Sequence, residues 1–177
     1  MNKKICAIHI ETLYHDPDLH LFFEKSDGWQ YKICKIIGVD KYITTSYRVN
    51  KPLNMKHKYG IDIKIFPYKG ITFISFSMLR EILKYNIIYF FSYYSPFFIF
   101  LFPFLKLFNK KIIVQYVGGG ELNSKRHTQK NIISETHKLI LKIILKFCNL
   151  IISYPKDEYE YVKKPINQKI YFFFSNP

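Results

Sequence analysis

Residues able to do chemistry gather in a few short stretches of the chain. The first is Tyr14-His15-Asp16-Pro17-Asp18-Leu19-His20. Imidazole and carboxylate groups in one loop suit hydrogen bonding to a polar substrate, with His15 and Asp16 as the candidate contacts. A metal site is disfavoured there, because His15 and His20 stand five apart across Pro17 and no second ligand cluster accompanies them. The second stretch is Gly118-Gly119-Gly120-Glu121. Consecutive glycines free the backbone for positive φ and close ligand approach. Their N–H groups can hold a hydroxyl or a phosphate, and Glu121 can accept hydrogen bonds from sugar hydroxyls. No Lys-Ser/Thr pair follows at the place a P-loop demands. The third is Asp27-Gly28 at the head of a helical pattern, where unpaired N–H groups favour an anion although Asp27 itself opposes one. Tyr93, in the polar turn 92–95, completes the candidate substrate contacts. For the first two stretches a solvated loop and a tight strand-to-helix turn are the competing readings. Spacing alone yields no Ser/His/Asp or Cys/His nucleophile, so no catalytic residue is assigned.

These stretches need a scaffold, and the apolar pattern predicts one. Short buried-type strands are expected at Ile5–Ile10, Tyr42–Ser46, Ile61–Phe66, Ile87–Phe91, Ile112–Tyr116, Leu150–Ser153 and Ile170–Phe174. Helices are expected between them: from Ser26-Asp27-Gly28 to Gly38 with Trp29, Ile33, Ile36 and Ile37 on one face, then Thr72–Lys84, Pro96–Phe108, Asn131–Cys148 and Lys156–Lys163. Alternating helices and strands of this type argue for a Rossmann-like α/β fold, a parallel sheet covered on both faces. Ligands then bind at the carboxyl ends of the strands, which is where 11–20, 92–95, 118–121 and 153–155 are expected to lie.

Composition sets the outer bounds. The 177 residues suit one domain, and 49% hydrophobic with 19% aromatic content excludes disorder. With 27 basic against 13 acidic residues, the net charge of +14 draws polyanions or an anionic surface. Only Arg48, Arg80 and Arg126 are arginines and Ala7 is the sole alanine, so codon bias toward lysine explains part of the excess. Scarce arginine also disfavours sequence-specific nucleic-acid readout. Cys6, Cys34 and Cys148 show neither disulfide nor zinc spacing and are expected as buried free thiols. The apolar run near the N-terminus is too short for a signal peptide.

Residues 87–105 carry no formal charge, a length that can in principle cross a bilayer, but Ser92–Pro96 and Pro103 interrupt the run. A buried strand followed by a membrane-touching helix is the favoured reading. Phe98 and Phe102 are the expected contacts, with Lys106, Lys110 and Lys111 at the headgroups. In Asn131–Cys148, Ile133, Ile140, Ile144 and Phe147 form one stripe and Lys138, Lys142 and Lys146 another, as in an ordinary sheet-covering helix.

Four segments, in order, resemble the N-terminal half of a GT-B glycosyltransferase of the family-4 type. They are Glu24-Lys25-Ser26-Asp27-Gly28 leading through a helix to Ile43-Thr44-Thr45-Ser46, then Ile112 to Glu121, then Cys148 to Ser153 with Lys156–Lys163, and finally Lys169 to Pro177. Val117 stands where many members of that family carry a histidine. The resemblance implies an acceptor-binding, metal-independent domain that needs no cofactor. It would serve polysaccharide biosynthesis, with a glycan or lipid-linked acceptor at the cytoplasmic face of the membrane. The nucleotide-sugar donor would be held mostly by a second domain, expected to be absent from a chain ending at Pro177. Such a half is inactive alone and a hexosyltransferase when joined to, or paired with, its donor-binding domain. A membrane-associated non-catalytic partner subunit, or an inactive remnant, remain the alternatives.

Overall fold

Isoleucine, tyrosine and phenylalanine dominate segments too short for helices, and these become the strands of one sheet. The structure is a computed structural model that describes residues 4–12, 28–68, 75–91, 96–117, 139–140, 143–154 and 170–172. Its strands are β1 (Ile5–Thr12), β2 (Lys41–Ser46), β3 (Leu53–Lys56), β4 (Asp62–Pro67), β5 (Ile87–Phe90), β6 (Lys111–Val117), β7 (Leu150–Tyr154) and β8 (Ile170–Phe172). The helices are α1 (Trp29–Ile37), α2 (Phe76–Ile82) and α3 (Pro96–Leu107), and residues 143–146 form a further helical turn.

All eight strands join one sheet in the order β3-β4-β2-β1-β5-β6-β7-β8. Every neighbouring pair is parallel except β3 with β4. The expected parallel sheet is therefore correct for seven strands and gains an antiparallel edge at the eighth. Strand β3 escapes a period-2 reading because Leu53-Asn54-Met55-Lys56 is short, follows Pro52 and lacks β-branched residues. The turn at 57–61 fixes it: His57 N–H bonds Ile61 O at 2.9 Å, and Gly60 takes φ 82°. A side chain there would be strained.

Strand order explains the layers. From β1 the chain steps through α1 to β2 on one side, then crosses back through α2 to β5 on the other. Right-handed crossovers in opposite directions place helices on opposite faces. Accordingly α1 buries Tyr31 and Cys34 with Ala7, Tyr42, Ile63, Ile65, Tyr89 and Phe91. On the other face α2, α3 and residues 144–148 enclose Cys6, Ile8, Ile43, Phe66, Ile88, Phe90, Val114 and Ile151. The expected buried stripe of α1 is corrected here. Tyr31 and Cys34 face the sheet, while Ile36 is 76% exposed. Helix α1 stops where Gly38 adopts φ 69° and its N–H closes on the last turn. Helix α2 starts at Ser75, whose Oγ accepts from Met78 N–H at 3.2 Å.

Among the described residues a charged group lies inside this packing. Glu81 of α2 accepts from Lys64 Nζ of β4 at 2.6 Å and from Lys84 Nζ at 3.0 Å. Burial raises its pKa, and the two ammonium groups more than offset that, holding the carboxyl below its ordinary value.

Candidate functional site

The two edges of the sheet differ in construction. At the amino-terminal edge, the residues just before β2, β5 and β7 tie neighbouring strands together. Asp40 Oδ2 accepts from Ile5 N–H at 2.7 Å, Asn86 N–H bonds Lys4 O, and Asn149 Oδ1 accepts from Ile112 N–H at 2.9 Å. That edge is sealed by short local bonds. At the carboxyl edge, β1, β5 and β6 stand side by side and lead into 13–27, 92–95 and 118–138. The sequence candidates follow these strands in the chain. Among them His15, Asp16, Asp27, Tyr93, Gly118, Gly119, Gly120 and Glu121 lie outside the described residues.

Between β1 and β5 the order of strands reverses, and such a switch point opens a crevice at the carboxyl edge. Strand β1 is irregular there: Ile8 pairs with Ile43 but Thr12 with Thr45, so β1 spends two extra residues over the interval. An irregularity of this type bends a strand and re-aims its last side chains.

Gly28 caps α1 at this edge with φ −53° and ψ 140°, and no side chain closes the helix start. Those angles suit any residue, so conformational freedom is not its role. A methyl at position 28 would stand 2.6 Å from Gln30 Oε1. Glycine thus lets the buried Gln30 amide fold back over the helix start. Backbone N–H groups and a carboxamide then share one corner, a combination suited to hydroxyls or an anionic oxygen.

Behind the rim lies a belt of polar side chains that the sequence reading passed over, all on the α1 face. His9 Nδ1 lies 2.9 Å from the Tyr42 hydroxyl, and the ring is tilted against Phe91 at 5.5 Å between centroids. Burial pushes the His9 pKa down to about 4, so this imidazole is neutral at pH 7. The Tyr89 hydroxyl donates to Gln115 Oε1 across β5 and β6. Thr44 and Ser46 are buried, and Ser46 Oγ accepts from Arg48 N–H at 3.1 Å. On the opposite face the buried Thr45 Oγ1 has no hydrogen-bond partner. A signal for the belt exists in the sequence: His9, Thr44, Ser46 and Gln115 are polar residues near the carboxyl ends of otherwise apolar strands.

The thiols take no part in such a site. All three are free and buried. Burial raises the pKa of Cys6 and pushes Cys34 and Cys148 to about 12, so none forms a thiolate at neutral pH. Among the described residues no group of three or more His, Cys, Asp or Glu side chains could hold a metal ion.

The expected membrane contacts need correction. Phe98 and Phe102 are buried in the core between α3 and the sheet. Their rings meet at 5.7 Å, and Phe98 packs edge-on to Phe90 at 4.8 Å. Wholly apolar helices give no periodic clue to their inner side, and the inner side is the one these residues occupy. Lys106 Nζ donates to Asn149 Oδ1 at 3.1 Å and Lys110 Nζ to Leu83 O at 2.7 Å, while Lys111 is exposed.

This sheet order, with helices layered on both faces, is the Rossmann-like half of a GT-B glycosyltransferase fold. Two structures of sucrose-phosphate synthase from Thermosynechococcus elongatus carry it. One matches 96% of this chain and 47% of its own length, with a TM-score of 0.59 and 16% identity. The other matches 96% of this chain and 87% of its own, with a TM-score of 0.55 and 14% identity. In sequence, the peptidoglycan glycosyltransferase MrdB of Helicobacter pylori is 32% identical over 82 residues, which is 44% of this chain and 22% of that protein. No family model matches the chain.

Proposed function

We propose that this chain is the acceptor-side half of a nucleotide-sugar-dependent glycosyltransferase of the family-4 type. In that reaction an acceptor hydroxyl attacks the anomeric carbon of the donor sugar and gives up its proton. The bond from that carbon to the phosphate oxygen breaks, and the nucleoside diphosphate leaves with that oxygen, which takes up the proton. Residues 1–177 form one unit, and a donor-binding unit, on the same polypeptide or on another, holds the nucleotide. The part of this chain is to bind and orient the acceptor, a glycan or a lipid-linked saccharide, and to keep water from the reacting carbon.

One observation carries the reading: the strand-order reversal between β1 and β5 lies at the edge where α1 begins on an uncapped Gly28. Support comes from a fold shared over 96% of the chain with sucrose-phosphate synthase, and from the reaction class in the name of the peptidoglycan glycosyltransferase. Gly28 and Gln30 would meet acceptor oxygens, together with His15, Asp16, Asp27, Tyr93, Gly118 to Gly120 and Glu121. Neutral His9 and Gln115 would keep the strand tips in place behind them. The test is to delete the coding sequence in the source cell and profile glycans and lipid-linked saccharides by mass spectrometry. One saccharide is expected to shorten by a single sugar, with recovery on re-expression. An unchanged profile would count against any transferase role.

A further inference from the structure

We propose that the outer face of α3, with the adjoining residues 143–147, docks on an anionic lipid bilayer. Helix α3 presents two faces of opposite fate. Phe97, Phe98, Leu101, Phe102 and Leu105 enter the core. Turned outward are Phe100, Phe104, Leu107 and Phe108, spaced by four, three and one residues, with Leu107 80% exposed and Phe104 48%. Ile143 and Phe147, in the segment before β7, are also exposed, at 48% and 61%. The two segments are joined where Lys106 Nζ meets Asn149 Oδ1 at 3.1 Å. Exposed apolar side chains grouped on one helix face mark an interaction site.

Charge identifies the occupant. No Asp or Glu occurs anywhere in 87–117 or in 136–156, whereas Lys106, Lys110, Lys111, Lys142 and Lys146 do. A second copy would bring lysines against lysines with no carboxylate to pair them, on chains of net charge +14. A single-stranded nucleic acid would stack on the phenylalanines but gains nothing from Leu107 or Ile143. An anionic bilayer satisfies both halves of the surface, hydrocarbon for the rings and headgroups for the ammonium groups.

Length fixes the posture. The 12 residues of α3 span about 18 Å, against about 30 Å of bilayer hydrocarbon. Among the described residues no helix is long and apolar enough to cross a membrane. Helix α3 therefore lies in the plane of the surface. As the crossover from β5 to β6 it runs antiparallel to the strands, so the sheet lies flat above the headgroups and its carboxyl edge opens sideways. Docking itself needs no sugar chemistry. Only the benefit of that posture, a crevice within reach of a lipid-linked acceptor, rests on the proposed function.

The experiment is flotation of the full chain with vesicles of phosphatidylcholine alone or mixed with phosphatidylglycerol. Binding should favour the anionic vesicles at least tenfold and weaken in raised salt. The variant Phe104→Ser/Leu107→Ser/Phe108→Ser should lose about tenfold or more, from apolar area no longer buried. Lys111→Glu/Lys146→Glu should lose a similar factor, at about fivefold per lysine. Circular dichroism melts confirm that both variants stay folded, as their exposed positions require. Three results would overturn the proposal: no flotation, flotation that the apolar variant leaves intact, or a surface that binds single-stranded oligonucleotide in place of vesicles. Since flotation reads the surface alone, its outcome is separate from that of the glycan profile.

Discussion

His9 reveals how burial selects a protonation state in this fold. Its ring is wedged between Tyr42 and Phe91, and desolvation brings its pKa from 6.5 to about 4. The unfolded chain therefore takes up a proton in the window between those values while the folded chain does not. Stability from the neutral ring is present above pH 6.5 and is lost as the pH falls toward 4. The shift sets a ceiling of about 3 kcal/mol on that loss. Thermal melts of the wild type at pH 7 and pH 4.5 should differ by more than those of His9→Gln. Equal differences would show that the ring does not titrate in this way. The same residue marks a limit of sequence reading. One polar side chain inside Ile5–Ile10 does not disturb an apolar run, so His15 drew attention and His9 did not.

Among the elements, strand positions were the most legible, because two-face burial demands short compact runs of Ile, Val, Tyr and Phe. Gly38 likewise announced the end of α1, since only glycine accepts φ 69° there without strain. What stayed hidden was orientation. In α1 a mixed stripe of Tyr31 and Cys34, not the isoleucines alone, meets the sheet. In α3 apolar residues surround the axis, so periodicity cannot separate the core side from the outer side. The structure separates them, and the separation is measurable. Phe98→Ala removes a fully buried ring and should cost about 3–5 kcal/mol in denaturant unfolding. Phe104→Ser, half exposed on the same helix, should stay within about 0.5 kcal/mol of wild type. Comparable losses at the two positions would refute the assigned faces. Pro103 is exposed within α3, so its ring points away from the core packing.

At the scale of the whole molecule, alternating elements were enough to foresee a parallel, doubly covered sheet. They were not enough to foresee its antiparallel edge, because β3 is held by a turn and by pairing with β4 instead of by its own side chains. The reversal between β1 and β5 is a property of strand order, and it places a switch point at the carboxyl edge. The charge pattern was equally visible, but which aromatic rings stand beside the lysines was not, because exposure is decided by tertiary packing. Function concentrates on the carboxyl edge in this account, and substitutions there and elsewhere should behave differently. Gly28→Glu suits this purpose: its backbone angles are open to any residue, a helix start tolerates a carboxylate, and the nearest obstacle is the end of the flexible Gln30 side chain. Lys56→Glu, exposed on the edge strand β3, is the control away from the crevice.

The decisive measurement is incorporation of radiolabelled nucleotide sugars into membranes from cells lacking the chain, with purified wild-type or variant chain added back. Wild type and Lys56→Glu should restore incorporation of one sugar, and Gly28→Glu should reduce it at least tenfold while remaining folded. Incorporation that is indifferent to Gly28→Glu, or that never depends on adding the chain, would contradict a sugar-handling crevice at the carboxyl edge.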